Sequence, residues 1–224
     1  MSARTSWIDQ YKVQGLPDGQ SGIWTVDHLT ITKDDSLFQF REMMTGRHVP
    51  DGTYTRLSRG STVVMSDTPW EIRTNMWAIR AMNDPKTRSV FIGGLGIGMV
   101  LGVALRNPAI EQIVVAENSA DVIALVAPHY DDPRLTIMHA DVFDVQPGPD
   151  NHGERWDVVW FDIWDDACED YWPDMSTLRR TWARHCYASA CWGREELRES
   201  RYSGKTYTNK PHHQQWKAKG RWKK

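Results

Sequence analysis

The sequence predicts an α/β protein in which helices cover both faces of a parallel sheet. Four short runs are apolar enough for strands that are buried on both faces, and segments of helical length separate them. A glycine-rich run directly follows the first of these strands and precedes a helix. Strands that alternate with helices form a parallel sheet, because each helix returns the chain to the edge where the next strand starts.

Composition restricts the class of protein. The chain has 224 residues, of which 40% are apolar and 25% charged, unlike a disordered, collagen-like or membrane-spanning chain. The one long apolar stretch, Val90 to Leu105, contains five glycines and makes a poor membrane helix. The first residues lack the basic-then-apolar order of a secretory signal, and the three cysteines are not clustered. We therefore expect a cytoplasmic protein without membrane contact, disulfide framework or metal site.

Charge is distributed unevenly along the chain. Residues 201–224 contain eight lysines and arginines and no acid, which leaves 19 basic against 29 acidic residues in the first 200. A basic tail can bind nucleic acid or another polyanion, but solvated terminal tails are common. We favour the solvated tail and keep nucleic acid as the alternative partner.

The sequence divides into three parts. Short apolar runs separated by turn residues predict a β-rich region over residues 1–67, with strands at 23–26, 29–32 and 62–65. Thr68, Pro69 and Glu71 supply a cap, a proline at the first helical position and an acid three residues after the cap. They predict a helix from residue 68 to about residue 82. Residues 68–200 are the predicted core domain, and residues 201–224 are the basic tail.

The core then alternates strands and helices. Strands are predicted at 90–92, 113–115, 135–138 and 158–161, and helices at 99–106 and 120–130. A polar loop over 146–154 separates the third and fourth strands. After Asp166 the pattern predicts a helix over 175–184, a strand over 185–190 and a short helix over 194–201.

The glycine run is the first candidate binding element. Gly94, Gly96 and Gly98 lie between a strand and a helix, where backbone N–H groups and close approach of the main chain serve a ligand. A dinucleotide fingerprint would require a third glycine at position 99, which is Met99. The spacing favours a nucleoside without a pyrophosphate over NAD. A tight turn without a ligand is the alternative.

Two further strand ends add polar candidates to the same edge of the sheet. Glu117 ends the second strand, 19 residues after Gly98, where an acid would hold a ribose diol. Asp141 and Val142 follow the third strand, and we expect them to contact the amino group and the ring of an adenine. Glu117 as a surface acid and Asp141 as a cap of backbone amides are the alternatives.

Three segments of the sequence resemble those of a known family. Residues 88–166 resemble the class I S-adenosylmethionine-dependent methyltransferases, and the whole chain is similar to the spermidine synthase branch of that fold. The resemblance rests on Met65–Glu71, Gly94–Leu101 and Trp156–Asp166, which also resemble uncharacterised methyltransferase-like proteins of phages and bacteria. It implies a Rossmann-like core that binds S-adenosylmethionine through Gly94, Gly96, Gly98, Glu117, Asp141 and Val142. Because only about 60 residues follow the fourth strand, we expect a sheet abbreviated at its C-terminal end.

Acidic residues follow the fourth strand. Spermidine synthases have a D-x-x-D-P sequence here, whose carboxylates position and deprotonate an amine. Asp162 and Asp165 match its two acids, whereas Asp166 replaces the proline. The resemblance therefore implies catalytic roles for Asp162 and Asp165. The alternative is that Asp162 caps the next helix and the later acids form its solvated first turn.

Leu95 separates two enzyme hypotheses. Spermidine synthases typically have an aspartate there, which recognises the amine of decarboxylated S-adenosylmethionine. The leading hypothesis is thus a methyltransferase of unspecified acceptor, ahead of a polyamine aminopropyltransferase and of a non-catalytic cofactor-binding or assembly protein. Asp67, Glu71 and Trp164 are expected to bind a small-molecule substrate, with a cationic amine as one candidate. A homo-oligomer is left open.

Overall fold

Two sheets organise the described residues of the computed structural model, which are 7–32, 34–35, 49–148 and 153–203. The first is antiparallel, with the order β1-β2-β3-β4, and consists of β1 (Gly19–Ser21), β2 (Trp24–Ile31), β3 (Gly52–Arg59) and β4 (Thr62–Ser66). The second is parallel, with the order β7-β6-β5-β8-β9, and consists of β5 (Ser89–Gly93), β6 (Gln112–Glu117), β7 (Leu135–His139), β8 (Trp156–Phe161) and β9 (Cys186–Cys191). Most of the predicted basic tail, residues 204–224, lies outside the described residues.

Six α-helices accompany these strands in the described part of the chain. They are α1 (Pro69–Thr74), α2 (Met76–Met82), α3 (Met99–Arg106), α4 (Ala120–Val126), α5 (Trp172–Trp182) and α6 (Arg194–Ser203). Short 3₁₀ helices occupy Asp9–Tyr11, Ala127–His129 and Glu169–Tyr171. None of the helices described is long and apolar enough to cross a membrane.

The parallel sheet confirms the predicted fold class, with a separate antiparallel sheet before it. The central strand β5 is buried along its whole length and contributes to two cores. Val90 and Ile92 pack on one face with α2, α3 and α4, whereas Phe91 packs on the other with α5. The chain runs outward from β5 through β6 to β7 and then returns to β8 on the other side. Ligands bind at such a reversal, outside the carboxyl ends of the two central strands.

Several predicted elements have different bounds in the structure. The predicted helix over 68–82 is interrupted at Asn75, whose Nδ2 donates to the Glu71 carbonyl and competes with helical hydrogen bonding. The predicted helix over 120–130 ends at Val126 and continues as a 3₁₀ turn, because Pro128 has no N–H to donate. Thr68 makes no capping hydrogen bond, and Glu71 accepts from the Ser66 N–H instead.

The N-terminal strands also differ from the prediction. Residues 23–26 and 29–32 were expected to form two strands, but β2 is continuous over Trp24–Ile31. It pairs with β3 along its length, and the Asp27 carboxylate accepts from the Arg56 guanidinium at 2.6 Å across the ladder. β1 and β3 were not predicted, because their threonine- and glycine-rich sequences lack the apolar runs that mark the other strands.

The antiparallel sheet and the residues before it pack against the parallel sheet and its helices. Ser21 donates to the Asp121 carboxylate in α4 at 2.7 Å, and the His129 Nε2 lies 2.8 Å from the Gln14 carbonyl. The Arg59 guanidinium at the end of β3 lies 3.2 Å from the Asp165 carboxylate. These contacts join the antiparallel sheet and the segment before it to α4, to the 3₁₀ turn after α4 and to the loop after β8.

Candidate functional site

The glycine loop lies at the carboxyl end of β5, beside β8. The Gly94 N–H donates to the Ala116 carbonyl at 2.8 Å, and the Gly98 N–H donates to the Leu95 carbonyl at 2.9 Å, so the loop turns tightly before α3 begins. Gly94, Gly96 and Gly98 all have positive φ, at 96°, 52° and 76°. Only glycine adopts such angles without strain, which explains the three positions locally.

Neighbouring atoms leave no room for a side chain at these glycines. A Cβ at Gly94 would meet the backbone carbonyl of Asp162, and one at Gly98 would meet the Tyr130 ring. At Gly96 a Cβ would meet the sulfur of Met65, which descends from β4. The glycines therefore serve internal packing, and at Gly94 they also bring the main chains of β5 and β8 together.

Glu117 ends β6 and reaches back to the glycine loop. One carboxylate oxygen accepts from the Leu95 N–H and the other from the Ser119 N–H, each at 2.8 Å. A carboxylate oxygen accepts more than one hydrogen bond, so each can also receive a hydroxyl. This arrangement fixes the carboxylate beside the glycine loop, and its role in binding a ribose stays a prediction.

Asp141 and Val142 occupy the next strand end. The Asp141 Oδ1 accepts from the Phe143 N–H at 2.9 Å, so the side chain caps its own turn as the structural alternative expected. Val142 is 3% exposed and its methyl lies close above Gly93 at the end of β5. Val142 is thus packed in the core at this strand end, and Asp141 beside it is partly exposed.

Asp162 and Glu71 bring two carboxyl groups to the same crevice. Asp162 follows β8, is partly buried, and has no cationic partner among the residues that the structure describes. Burial, and secondly the negative charge of Glu71, raise the pKa of Asp162 from its ordinary value of 3.8 to about 8. A carboxyl such as Asp162, without a cationic partner among the described residues, favours a cationic ligand.

Asp165 is engaged differently. Its carboxylate accepts from the Arg59 guanidinium at 3.2 Å and from the Tyr171 hydroxyl at 3.2 Å. Its negative charge raises the pKa of Tyr171, after burial, which is the larger cause. The arginine neutralises Asp165 and fixes it to the antiparallel sheet. The predicted pair of Asp162 and Asp165 is thus divided, and Glu71 is the acid whose charge acts on Asp162.

All three predicted substrate-binding residues make contacts within the protein, and Glu71 accepts from the Ser66 N–H. Asp67 is 1% exposed, and its carboxylate accepts from the Val13 N–H at 3.0 Å and the Thr55 N–H at 2.8 Å. It joins the N-terminal segment to β3. Trp164 is 8% exposed and packs in the core under α5, with its ring 6.4 Å from that of Tyr171. Glu71 alone of the three lies beside Asp162.

Three residues at the crevice were missed. Met65 covers the glycine loop, Trp160 lines the cavity from β8, and Arg59 neutralises Asp165. Trp160 is 2% exposed, and its ring stacks on Trp77 with centroids 5.7 Å apart. The sequence signal available for this cover was Met65, three residues before the predicted start of the helix at Thr68. Nothing local in the sequence connects Arg59 with a residue 106 positions later.

The cavity under Met65 is narrow. It is lined by Met65, Gly94, Leu95, Gly96, Trp160 and Asp162, among other residues. Leu95 is 4% exposed and contributes apolar surface where the aminopropyltransferase hypothesis needs a carboxylate. The described residues contain no cluster of three or more His, Cys, Asp or Glu that could hold a metal ion.

Comparisons with known proteins address the fold. The matching solved structures are mainly methyltransferases, with spermidine synthases among them. An S-adenosylmethionine-dependent methyltransferase from Mesorhizobium loti is 18% identical, over 50% of this chain and 49% of that chain, with a TM-score of 0.38. Spermidine synthase from Thermotoga maritima is 17% identical, over 76% and 52%, with a TM-score of 0.47. A methyltransferase described as putative from Listeria monocytogenes is 13% identical, over 41% of each chain, with a TM-score of 0.33.

These likenesses are limited in extent. The matched part covers between 41% and 52% of the length of these three proteins. Neither protein-family models nor curated protein sequences match this chain. The strand order and the burial of the sheet on both faces establish the Rossmann-like fold independently of the comparisons.

Proposed function

We propose that this protein binds S-adenosylmethionine in the crevice between β5 and β8 and transfers its methyl group to a small acceptor. Asp162 carries the proposal. Glu117 alone would suit any nucleoside, but a partly buried carboxyl with a raised pKa and no cationic partner among the described residues favours a nucleoside that is itself positively charged. S-adenosylmethionine supplies an electrophilic methyl group on a sulfonium.

The residues of the crevice divide the tasks of binding. Glu117 offers two acceptor oxygens for the ribose diol, while the loop N–H of Leu95 holds that carboxylate in place. Asp141 is partly exposed and offers an acceptor for the adenine amino group, and Val142 packs in the core beside it. The spacing of the glycines favours a nucleoside without a pyrophosphate, because Met99 stands where a dinucleotide fingerprint has its third glycine.

Asp162 has the second task. A cation beside it stabilises its ionised form, so its proton leaves when a cationic ligand binds. The carboxylate is then able to accept a proton from an N–H acceptor as the bond from that nitrogen to the methyl carbon forms and the bond from carbon to sulfur breaks. Alignment of the acceptor nitrogen with the methyl group supplies the rest of the rate acceleration, since displacement at a sulfonium requires few catalytic groups.

Asp162 also keeps aminopropyl transfer as a second candidate, because a polyamine is a cation. Two features favour methyl transfer. Leu95 gives the cofactor pocket no carboxylate for the amine of decarboxylated S-adenosylmethionine, and Arg59 already neutralises Asp165. The cofactor with its own carboxylate is therefore the better fit.

Product analysis separates the candidates. The protein is incubated with S-adenosylmethionine, or with its decarboxylated analogue, and a panel of small amines. We expect S-adenosylhomocysteine from the first, whereas methylthioadenosine and an elongated amine from the second would establish aminopropyl transfer. Asp162→Asn should lose at least about tenfold in single-turnover rate while still binding the nucleoside. Asp166→Asn, an acid in the same loop, is the control. Nucleoside binding without turnover on any acceptor would support the non-catalytic alternative.

A further inference from the structure

The two ends of the parallel sheet differ in charge. All five strands start at one edge, and a basic residue stands directly before four of them: Arg88 before β5, Arg134 before β7, Arg155 before β8 and His185 before β9. The opposite edge has Glu117, Asp162 and Glu71. Strands of six residues separate the two edges by about 20 Å, so the basic edge is distinct from the cofactor crevice.

Two of these basic residues have acidic partners. The Arg88 guanidinium lies 3.2 Å from the Glu111 carboxylate, and that of Arg134 lies 2.8 Å from Asp132. Arg155 and the neighbouring Arg184 have no carboxylate partner among the residues that the structure describes. Unpaired positive charge at this edge is therefore concentrated at the starts of β8 and β9.

A groove lies between these two strand starts, and we call it the amino-end groove. It is lined by Gly153, Glu154, Arg155, Arg184, His185 and Tyr187. The Trp156 N–H donates to the His185 carbonyl at 2.9 Å and holds its two sides together. Glu154 is the one acid in that lining.

Tyr187 gives the amino-end groove an aromatic surface. Its side chain is 67% exposed, and the Arg155 guanidinium lies 5.9 Å from the centre of its ring. An exposed tyrosine beside an arginine has a face on which a planar ring can stack. Tyr187 belongs to none of the hydrophobic clusters of the described residues, so packing does not account for the exposure of its ring.

Positive charge continues from the groove along β9. Arg155 and Arg179 both act to lower the pKa of Cys186, against the larger effect of burial. Arg179 likewise acts, after burial, to lower the pKa of Arg194. Arg179 is thus close enough to interact with both Cys186 and Arg194, and an anion beside it would relieve its repulsion with Arg194.

We propose that the amino-end groove binds single-stranded nucleic acid, with Arg155 and Arg184 on phosphates and a base stacked on Tyr187. Guanidinium groups match phosphate geometry with paired hydrogen bonds. An aromatic side chain in a basic groove is how proteins bind single strands without reading their sequence. The stacking requires an unpaired base, which favours a single strand over a duplex.

Fluorescence anisotropy with a labelled oligouridylate tests this inference on the full chain. Arg155→Glu/Arg184→Glu should weaken binding at least about tenfold, and the slope of log affinity against log salt should fall by about 1.4, or 0.7 for each lost phosphate contact. Tyr187→Ala should weaken binding roughly tenfold and leave that slope unchanged. The control is Arg73→Glu/Arg80→Glu, which makes the same change of charge at exposed positions of α1 and α2.

The control also separates the groove from the basic tail, since both double variants keep residues 201–224. Equal losses in the two double variants would overturn the proposal, as would wild-type protein that does not bind the oligonucleotide. Tighter binding to vesicles of phosphatidylserine and phosphatidylcholine than to the oligonucleotide would assign the groove to a membrane surface and overturn it too. If the glutamate variant does not fold, Arg155→Gln/Arg184→Gln and Tyr187→Ala decide the question by the same measurements.

Discussion

At the scale of single residues, Asp162 makes the stability of the protein depend on pH. In the folded protein its carboxyl retains a proton up to about pH 8, whereas the ordinary value is 3.8. Between these values the folded state binds more protons than the unfolded state, so the free energy of unfolding falls as the pH rises. Asparagine does not titrate. We therefore expect Asp162→Asn to gain stability relative to wild type between about pH 5 and pH 8, in urea unfolding.

Glu71 provides the control for this effect. Its charge is the second cause of the raised pKa of Asp162, so Glu71→Gln should reduce the pH dependence without abolishing it. The hydrogen bond from the Ser66 N–H then goes to a neutral amide oxygen and not to a carboxylate, which weakens it and will lower the stability of that variant. Stability curves of wild type and Asp162→Asn that run parallel across this range would contradict the account.

Glu117 links the glycine loop to the ribose site. In Glu117→Gln an amide N–H₂ faces a backbone N–H, and the charged acceptor is lost. We expect binding of S-adenosylhomocysteine to weaken by about 1–3 kcal/mol in calorimetric titration. Glu111→Gln, near the start of the same strand and at the other end of the sheet, should bind as wild type does. Equal affinities of the two variants would remove Glu117 from the site.

Residue types predicted the position of an acid where a strand end fixes it, as at Glu117, whose carboxylate lies beside the glycine loop, and its ribose-binding role stays a prediction. They were less informative in the loops. Asp67 and Asp165 lie in the segments predicted to form the site. The Asp67 carboxylate accepts from two backbone N–H groups, and the Asp165 carboxylate accepts from Arg59. These partners come from distant parts of the chain, so local sequence contains no signal of them. The roles of these residues in binding a substrate remain predictions.

At the scale of elements, we expect alanine substitutions of glycines in the loop and in α3 to change the free energy of unfolding by different amounts. Gly94→Ala would place its Cβ against a backbone carbonyl that has no rotamer to change, so we expect a loss on the order of 3 kcal/mol in the free energy of unfolding. Gly102→Ala is the control. It lies within α3, its Cβ would meet Arg106 at an ordinary 3.6 Å, and it should stabilise the protein by about 0.5–1 kcal/mol. Thermal and urea unfolding measure both.

The Tyr130 ring makes Gly98→Ala an intermediate case. Its Cβ would meet a side chain that is itself packed and donates to the Ile97 carbonyl at 3.1 Å. We expect Tyr130→Ala to reduce the cost of Gly98→Ala, whereas no second substitution should reduce that of Gly94→Ala. A larger loss of stability in Gly98→Ala than in Gly94→Ala would contradict this, because it would show that the backbone at Gly94 relaxes to make room for the Cβ.

The order and type of the core elements could be predicted because their patterns are strong. The apolar runs at β5, β6 and β8 are buried on both faces, and α3 has the predicted bounds, Met99–Arg106. The interruption at Asn75 and the missed strand β3 have another origin. Asn75 bonds to its own helix, and β3 is held by pairing with β2 and β4 over its length. Such contacts override local propensity.

At the scale of the whole molecule, the crevice belongs to both sheets. The parallel sheet supplies Gly94, Glu117 and Asp162 from three adjacent strand ends, and the antiparallel sheet supplies Met65 as a cover. Arg59 joins the two through Asp165. The fold class could be predicted from the sequence, but the cover could not, because it depends on how β4 packs over the glycine loop.

One calorimetric titration tests whether the crevice binds S-adenosylmethionine and its product and does not bind a dinucleotide. Wild-type protein is titrated with S-adenosylhomocysteine and, separately, with NAD under the same conditions. The geometry of Glu117, the glycine loop and Asp162 predicts a single site for S-adenosylhomocysteine, no detectable heat from NAD, and tighter binding of S-adenosylmethionine, whose positive charge lies beside Asp162. Binding of NAD as tight as that of S-adenosylhomocysteine, or no binding of either nucleoside, would contradict the account.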